Sequence, residues 1–179
     1  MKIQAHTRTL TLSAMFLAIA YILPFFTGQI PQIGSMLCPM HIPVLLCGFI
    51  CGWPWGLAVG FLAPLLRSVT LGMPPLFPTA ICMAFELAAY GAVSGLVHKT
   101  LAKSKWNIYG SLLIAMIVGR MVWGTAMYIC MGFSGNGFGF SAFLAGAITN
   151  AIPGIIIQII LIPILVMILE KADIGVYSS

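Results

Sequence analysis

Long apolar runs, broken at intervals by Gly, Pro and short polar clusters, set the pattern of this chain. A membrane-crossing helix needs roughly 20 mostly apolar residues. The runs predict helices at about 9–27, 39–52, 55–71, 78–98, 108–131 and 141–169. The second is short and is expected to be tilted or to lie partly in the interface. The sixth is long and carries Pro153 and Pro163, so a bend or tilt is expected there. No sustained alternation of apolar and polar positions supports barrel strands. Lys2 and Arg8 precede the first run, as in a signal peptide, but the run is too long for a typical signal core and no A-x-A site follows.

Composition agrees with this pattern. The 179 residues are 61% hydrophobic and 6% charged, whereas a soluble domain carries about 25% charged residues. The expected fold class is an all-α integral membrane protein: residues 1–179 form a single membrane domain, with six transmembrane helices in a compact bundle. Six crossings put both termini on one side, together with Lys2, Arg8, Lys99, Lys103, Lys105 and Lys171. The connections on the other side, about 28–38, 72–77 and 132–140, contain no Lys or Arg. By the positive-inside rule both termini are expected to be cytoplasmic. The net charge of +5 is read as topology and not as a nucleic-acid footprint.

The outer connections read "TGQIPQIGSMLCP", "GMPPLFP" and "GFSGNGFGF". Gly and Pro make turns, and these segments also carry apolar and aromatic residues. Two readings stay open: simple hairpins, or flaps that cover an outward cavity.

Several polar residues fall inside the apolar runs. Arg67 lies roughly 6 Å inside the outer end of the third helix, and Glu86 roughly 12 Å below the start of the fourth. Arg120 and Asn150 fall near the middle of the fifth and sixth, Gln158 lies further inward, and His41 is close to the outer end of the second. A charge at the bilayer centre is expensive, so such groups face the bundle interior, a partner or water. Arg67 and Glu86 come from neighbouring helices joined by a tight outer turn, and they are expected to pair or to face a solute together. Arg120 and Asn150 are expected to line one cavity. The plainer readings are an Arg–Glu pair that locks helices, an Arg67 that snorkels to headgroups, an Asn150 that joins helices, and a His41 at the interface.

Small residues recur at spacing four. Ala14 and Ala18 do so in the first helix; Gly48/Gly52, Gly56/Gly60 and Gly91/Gly95 do so further along. Ala142, Gly146, Asn150 and Gly154 make a stripe in the sixth. Such faces let helices approach closely, mostly as internal packing. No ATP-binding phosphate loop and no H-E-x-x-H motif occurs, and Asp173 lies in the tail. The five cysteines read as small apolar residues and the eleven methionines as packing. No catalytic residue, metal site or cofactor is expected.

The run "MHIPVLLCGFICGWPWGLAVGFLAPLLRSVTLGMPP", followed by "FELAAYG", and the alanine pair in the first helix complete a pattern that resembles the S components of energy-coupling factor (ECF) transporters. The resemblance extends from about Arg8 to Lys171. It implies a substrate-capture subunit in a prokaryotic cell membrane that takes a small vitamin-like molecule from outside. It also implies partners, namely a transmembrane T subunit and two ABC ATPases. Ala14 and Ala18 match the alanine motif that contacts the T subunit, and the three uncharged outer connections match the ligand cover. Within that frame Arg67, Glu86, Arg120, Asn150 and His41 are the expected substrate-binding residues. Two buried arginines against one glutamate, with the suitability of Arg for carboxylates, favour an anionic or zwitterionic vitamin of pantothenate or pyridoxine type, with riboflavin and a hydroxymethylpyrimidine left open. The rival reading is a small intramembrane enzyme or a non-transport assembly subunit. An enzyme would need a nucleophile or metal set, and an assembly subunit would not need three buried charges.

Overall fold

The computed structural model describes residues 2–27, 38–101, 105–133 and 152–172. Over them the chain forms α1 (Lys2–Ile22), a 3-10 turn (Leu23–Thr27), α2 (His41–Cys51), α3 (Trp53–Leu71), a π turn (Leu76–Ala80), α4 (Ile81–Thr100), α5 (Lys105–Phe133) and α6 (Ile152–Lys171). There is no strand among the described residues. Five helical stretches are long and apolar enough to cross a membrane: His6–Phe26, Trp53–Leu71, Leu76–Thr100, Trp106–Gly132 and Ile152–Lys171. Residues 141–151 of the expected sixth helix, with Ala142, Gly146 and Asn150, lie outside the described residues.

The second helix departs most from expectation. It does not lie in an interface: of its eleven residues all but Ile42 are buried. It packs against α1, α3, α4 and α6 and forms the axis of the bundle. A helix apolar on every side is stable only inside other helices or in lipid, and here protein surrounds it. Gly52 ends it with φ 91° and ψ 168°, a conformation that side chains with a Cβ rarely adopt. The chain therefore reverses in a single residue, and Pro54 then sits in the first turn of α3, where its missing N–H does no harm.

Glycines fix how closely α2, α3 and α4 approach. A Cβ added to Gly56 would lie 2.5 Å from the Gly91 carbonyl oxygen, and one on Gly60 would lie 2.5 Å from the Leu87 carbonyl carbon. One on Gly95 would lie 2.5 Å from the Trp53 nitrogen. These are backbone-on-backbone contacts, with no flexible side chain to yield. The Gly56/Gly60 and Gly91/Gly95 pairs are therefore internal, joining α3 to α4 and α4 to the α2–α3 corner. Gly48 similarly meets Ser94 and Gly91.

On α1 the buried positions Thr9, Ser13, Phe16 and Ala20 recur at helical spacing and face α2 and α3. The opposite face exposes Leu10, Ala14, Met15, Ala18 and Ile22.

Gly91→Ala is expected to destabilise the bundle by about 1–3 kcal/mol through overpacking. Gly110→Ala, at a position with nothing within 4 Å of the new Cβ, is expected to leave the melting temperature unchanged or raised, because alanine is the better helix former. Thermal unfolding of the two variants in detergent checks the contrast. Equal behaviour would show that the α3–α4 contact is not tight.

Candidate functional site

Glu86 lies on the second turn of α4 and is 1% exposed. A carboxylate there must be compensated, and three features do so. Arg120, from the middle of α5, places Nη1 2.9 Å from Glu86 Oε1. His41 Nε2 lies 3.5 Å from the same oxygen. His41 is also the first residue of α2, so the positive end of that helix lies beside the carboxylate.

Arg120 also directs Nη2 toward Cys38 Sγ at 3.8 Å, which ties α5 to the segment entering α2. The backbone N–H of His41 donates to the Cys38 carbonyl at 3.0 Å. Tyr90, one turn below Glu86, presents its ring to His41 edge-on, with centroids 5.1 Å apart. The Cβ position of Gly119 lies 3.0 Å from that tyrosine ring. The absence of a side chain at Gly119 lets α5 lie close to Tyr90, and the next residue, Arg120, then reaches Glu86.

The cluster is not saturated. The Arg120–Glu86 contact is an ion pair by distance, yet Glu86 Oε1 accepts no aligned hydrogen bond from the described residues. Both ring nitrogens of His41 and Nε of Arg120 also lack a hydrogen-bond partner among the described residues. So does Oε1 of Gln158, a side chain that is 1% exposed on α6. Leaving a buried polar group unsatisfied costs about 1–3 kcal/mol, so this concentration in one fold needs a reason.

Arg67 does not join this cluster, and the expected pairing with Glu86 is not formed. Its Nη1 donates to the Tyr21 carbonyl at 2.7 Å, and its guanidinium lies 4.8 Å from the centroid of the Phe25 ring. The physical reason lies at the end of α1. Pro24 stands three residues after Tyr21 and has no N–H to give in the tightened turn. Arg67 supplies a donor to that carbonyl, with its charge at the negative end of the helix. Tyr21 Oη also shares a hydrogen bond with Thr70 Oγ1 at 2.9 Å, so α3 and α1 are joined twice at this level. The arginine of Glu86 is instead Arg120.

The structure thus brings together Glu86, Arg120 and His41 and places Arg67 against α1. Asn150 lies outside the described residues, and Ala14 and Ala18 are exposed on the outward face of α1. The sequence pattern singles out neither Tyr90 nor Gly119. The one signal for Tyr90 was its place four residues after Glu86, on the same helix face. Among the described residues no group of three or more His, Cys, Asp or Glu is arranged to hold a metal ion.

No curated protein and no solved structure matches the chain. The family model of the substrate-specific component of ECF transporters matches residues 8–166. That stretch takes in every described helix that carries the cluster, and the multi-pass helical architecture agrees with it. The chain belongs to the family of substrate-specific components of ECF transporters, membrane-embedded substrate-binding subunits and not enzymes.

Proposed function

We propose that the chain captures a small water-soluble vitamin or precursor in a chamber above the N-terminus of α2, against Glu86, Arg120 and His41. The observation that carries this reading is the buried, unsaturated ion pair at that helix end. Helix lengths support it. At 1.5 Å per residue, α2 is about 16 Å long and α3, folded back along it, about 28 Å. Beyond His41, α3 therefore rises roughly 12 Å further than α2 itself, and the buried Cys38, Pro39 and Met40 lead into the helix on that side. Residues 28–37 and 134–140 lie outside the described residues, and their role as a cover is part of the proposal. Asn150 is proposed to complete the lining. Arg67 is assigned to holding α1 against α3.

The pairing refines the substrate class. Two isolated arginines would favour an anion, but Arg120 already has a carboxylate beside it. A simple anion that displaced Glu86 would leave that carboxylate with His41 alone. A zwitterion offers a cationic N–H to Glu86 and an anionic oxygen to Arg120 without stranding either. Pyridoxine, which carries both groups as a pyridinium and a phenolate, is the probe that matches this chemistry. Pantothenate, an anion, matches it less well.

For the transport role, we propose that both termini are cytoplasmic in a prokaryotic plasma membrane. The exposed Ala14 and Ala18 would dock on a transmembrane T subunit served by two ABC ATPases. Uptake would follow as the subunit topples against that partner.

Breaking one side of a buried ion pair destabilises by about 3–5 kcal/mol. Arg120→Met and Glu86→Gln are each expected to lower the melting temperature of the ligand-free protein. The double variant is expected to recover most of that stability without recovering pyridoxine binding in a calorimetric titration. Arg67→Met combined with Glu86→Gln is expected to be additive, because the two side chains share no partner. Coupling of Glu86 to Arg67 in place of Arg120 would refute the pairing, and normal binding by the stable double variant would refute the site.

Ala18→Trp is expected to abolish copurification with the T subunit and ATPases while leaving substrate binding by the isolated chain intact. Loss of both together would mean that the alanine face packs within the chain.

A further inference from the structure

We infer that Gln158 is a substrate-contacting residue of the proposed chamber. Its amide oxygen would accept a hydrogen bond from an N–H or O–H of the solute, on the wall that α6 contributes beside the end of α2. The inference rests on the reading above, and it adds a neutral acceptor that selects for a donor group on the solute.

Burial comes first. Gln158 is among the most completely enclosed large side chains of the protein, and its Oε1 meets no hydrogen-bond partner among the described residues. An amide oxygen that served to join helices would need a donor on the neighbouring helix, and Oε1 meets none among the described residues. The buried stripe of α6 runs Gly154, Gln158, Ile162, Val166. Its inward half is apolar and packs as core. Its outward half carries a residue with no side chain and then a polar one.

Register comes second. His98 of α4 and Glu170 of α6 touch at 2.9 Å, with His98 against Phe49 of α2, ring centroids 5.1 Å apart. The His98–Glu170 contact marks one level on α4 and α6. Glu86 lies twelve residues before His98, and Gln158 lies twelve residues before Glu170. Both helices run in the same sense from this contact, so both side chains stand roughly 18 Å above it. His41 lies seven residues before Gly48, which meets the backbone of α4 between Gly91 and Gly95, so the end of α2 stands level with Glu86. Both α4 and α6 pack against α2. Gln158 and Glu86 are therefore at about one height on different helices, level with the first turn of α2.

The test compares wild type with Gln158→Met, which keeps the length of the side chain and removes the amide. After exhaustive dialysis, the melting temperature of the variant is expected to equal or exceed that of wild type, because an unsatisfied group has been removed from the interior. In calorimetric titration with pyridoxine, the variant is expected to bind at least tenfold more weakly. A fall of several degrees in the ligand-free protein would show that the amide holds helices together, and an affinity within twofold of wild type would show that it does not touch the solute. Either overturns the assignment. If wild type itself gives no heat with pyridoxine, the zwitterion reading fails. The same comparison is then made with pantothenate: a fall in the ligand-free melting temperature or an affinity within twofold of wild type overturns the role of Gln158, and a tenfold loss upholds it.

Discussion

A carboxylate enclosed in a membrane bundle must be matched in charge, and the position of Glu86 organises much of what surrounds it. Arg120 brings α5 to it, and His41 brings the positive end of α2. Removing a charge from one side leaves the other stranded at high energy, so the three helices are held in one arrangement. The same interaction is poorly aligned as a hydrogen bond and leaves several polar atoms without partners among the described residues. A pair meant only to lock helices would be expected to be better satisfied. An arrangement that a polar solute completes accounts for both facts.

The glycine contacts make this cluster possible. Gly56, Gly60, Gly91 and Gly95 bring the backbones of α3 and α4, and the α2–α3 corner, into direct contact. Gly119 lets α5 close on Tyr90. With α2 short, central and reversed at Gly52, α3 runs on past its outer end. The division of labour between the two arginines follows from the same geometry. Arg67 stabilises the end of α1, which presents Ala14 and Ala18 outward, whereas Arg120 serves the centre.

Much of this was legible in the sequence, for identifiable reasons. Five helical stretches are long apolar runs, and run length alone reports a crossing. The burial of α2 was not legible, because a helix such as "HIPVLLCGFIC" is apolar on nearly every side and shows no face from which to infer its surroundings. Polar residues in oil are conspicuous, so Glu86, Arg120 and His41 stood out individually. Their pairing did not, because sequence proximity favoured Arg67 while the folded partner came from a helix more than thirty residues on. The role of Arg67 depends on a missing N–H at Pro24 and a carbonyl at Tyr21, features of backbone geometry that no side-chain pattern displays. Gln158 was visible as a polar residue, but its level opposite Glu86 emerges only once His98 and Glu170 are seen to touch.

The central claim is that a polar solute completes the ion pair above α2. An experimental structure of the protein purified with its solute tests it most directly. The account predicts density for a small organic molecule between the Glu86–Arg120 pair and α6, within hydrogen-bond distance of both charged side chains. A solute bound elsewhere, or apolar side chains filling the space above His41, would contradict it.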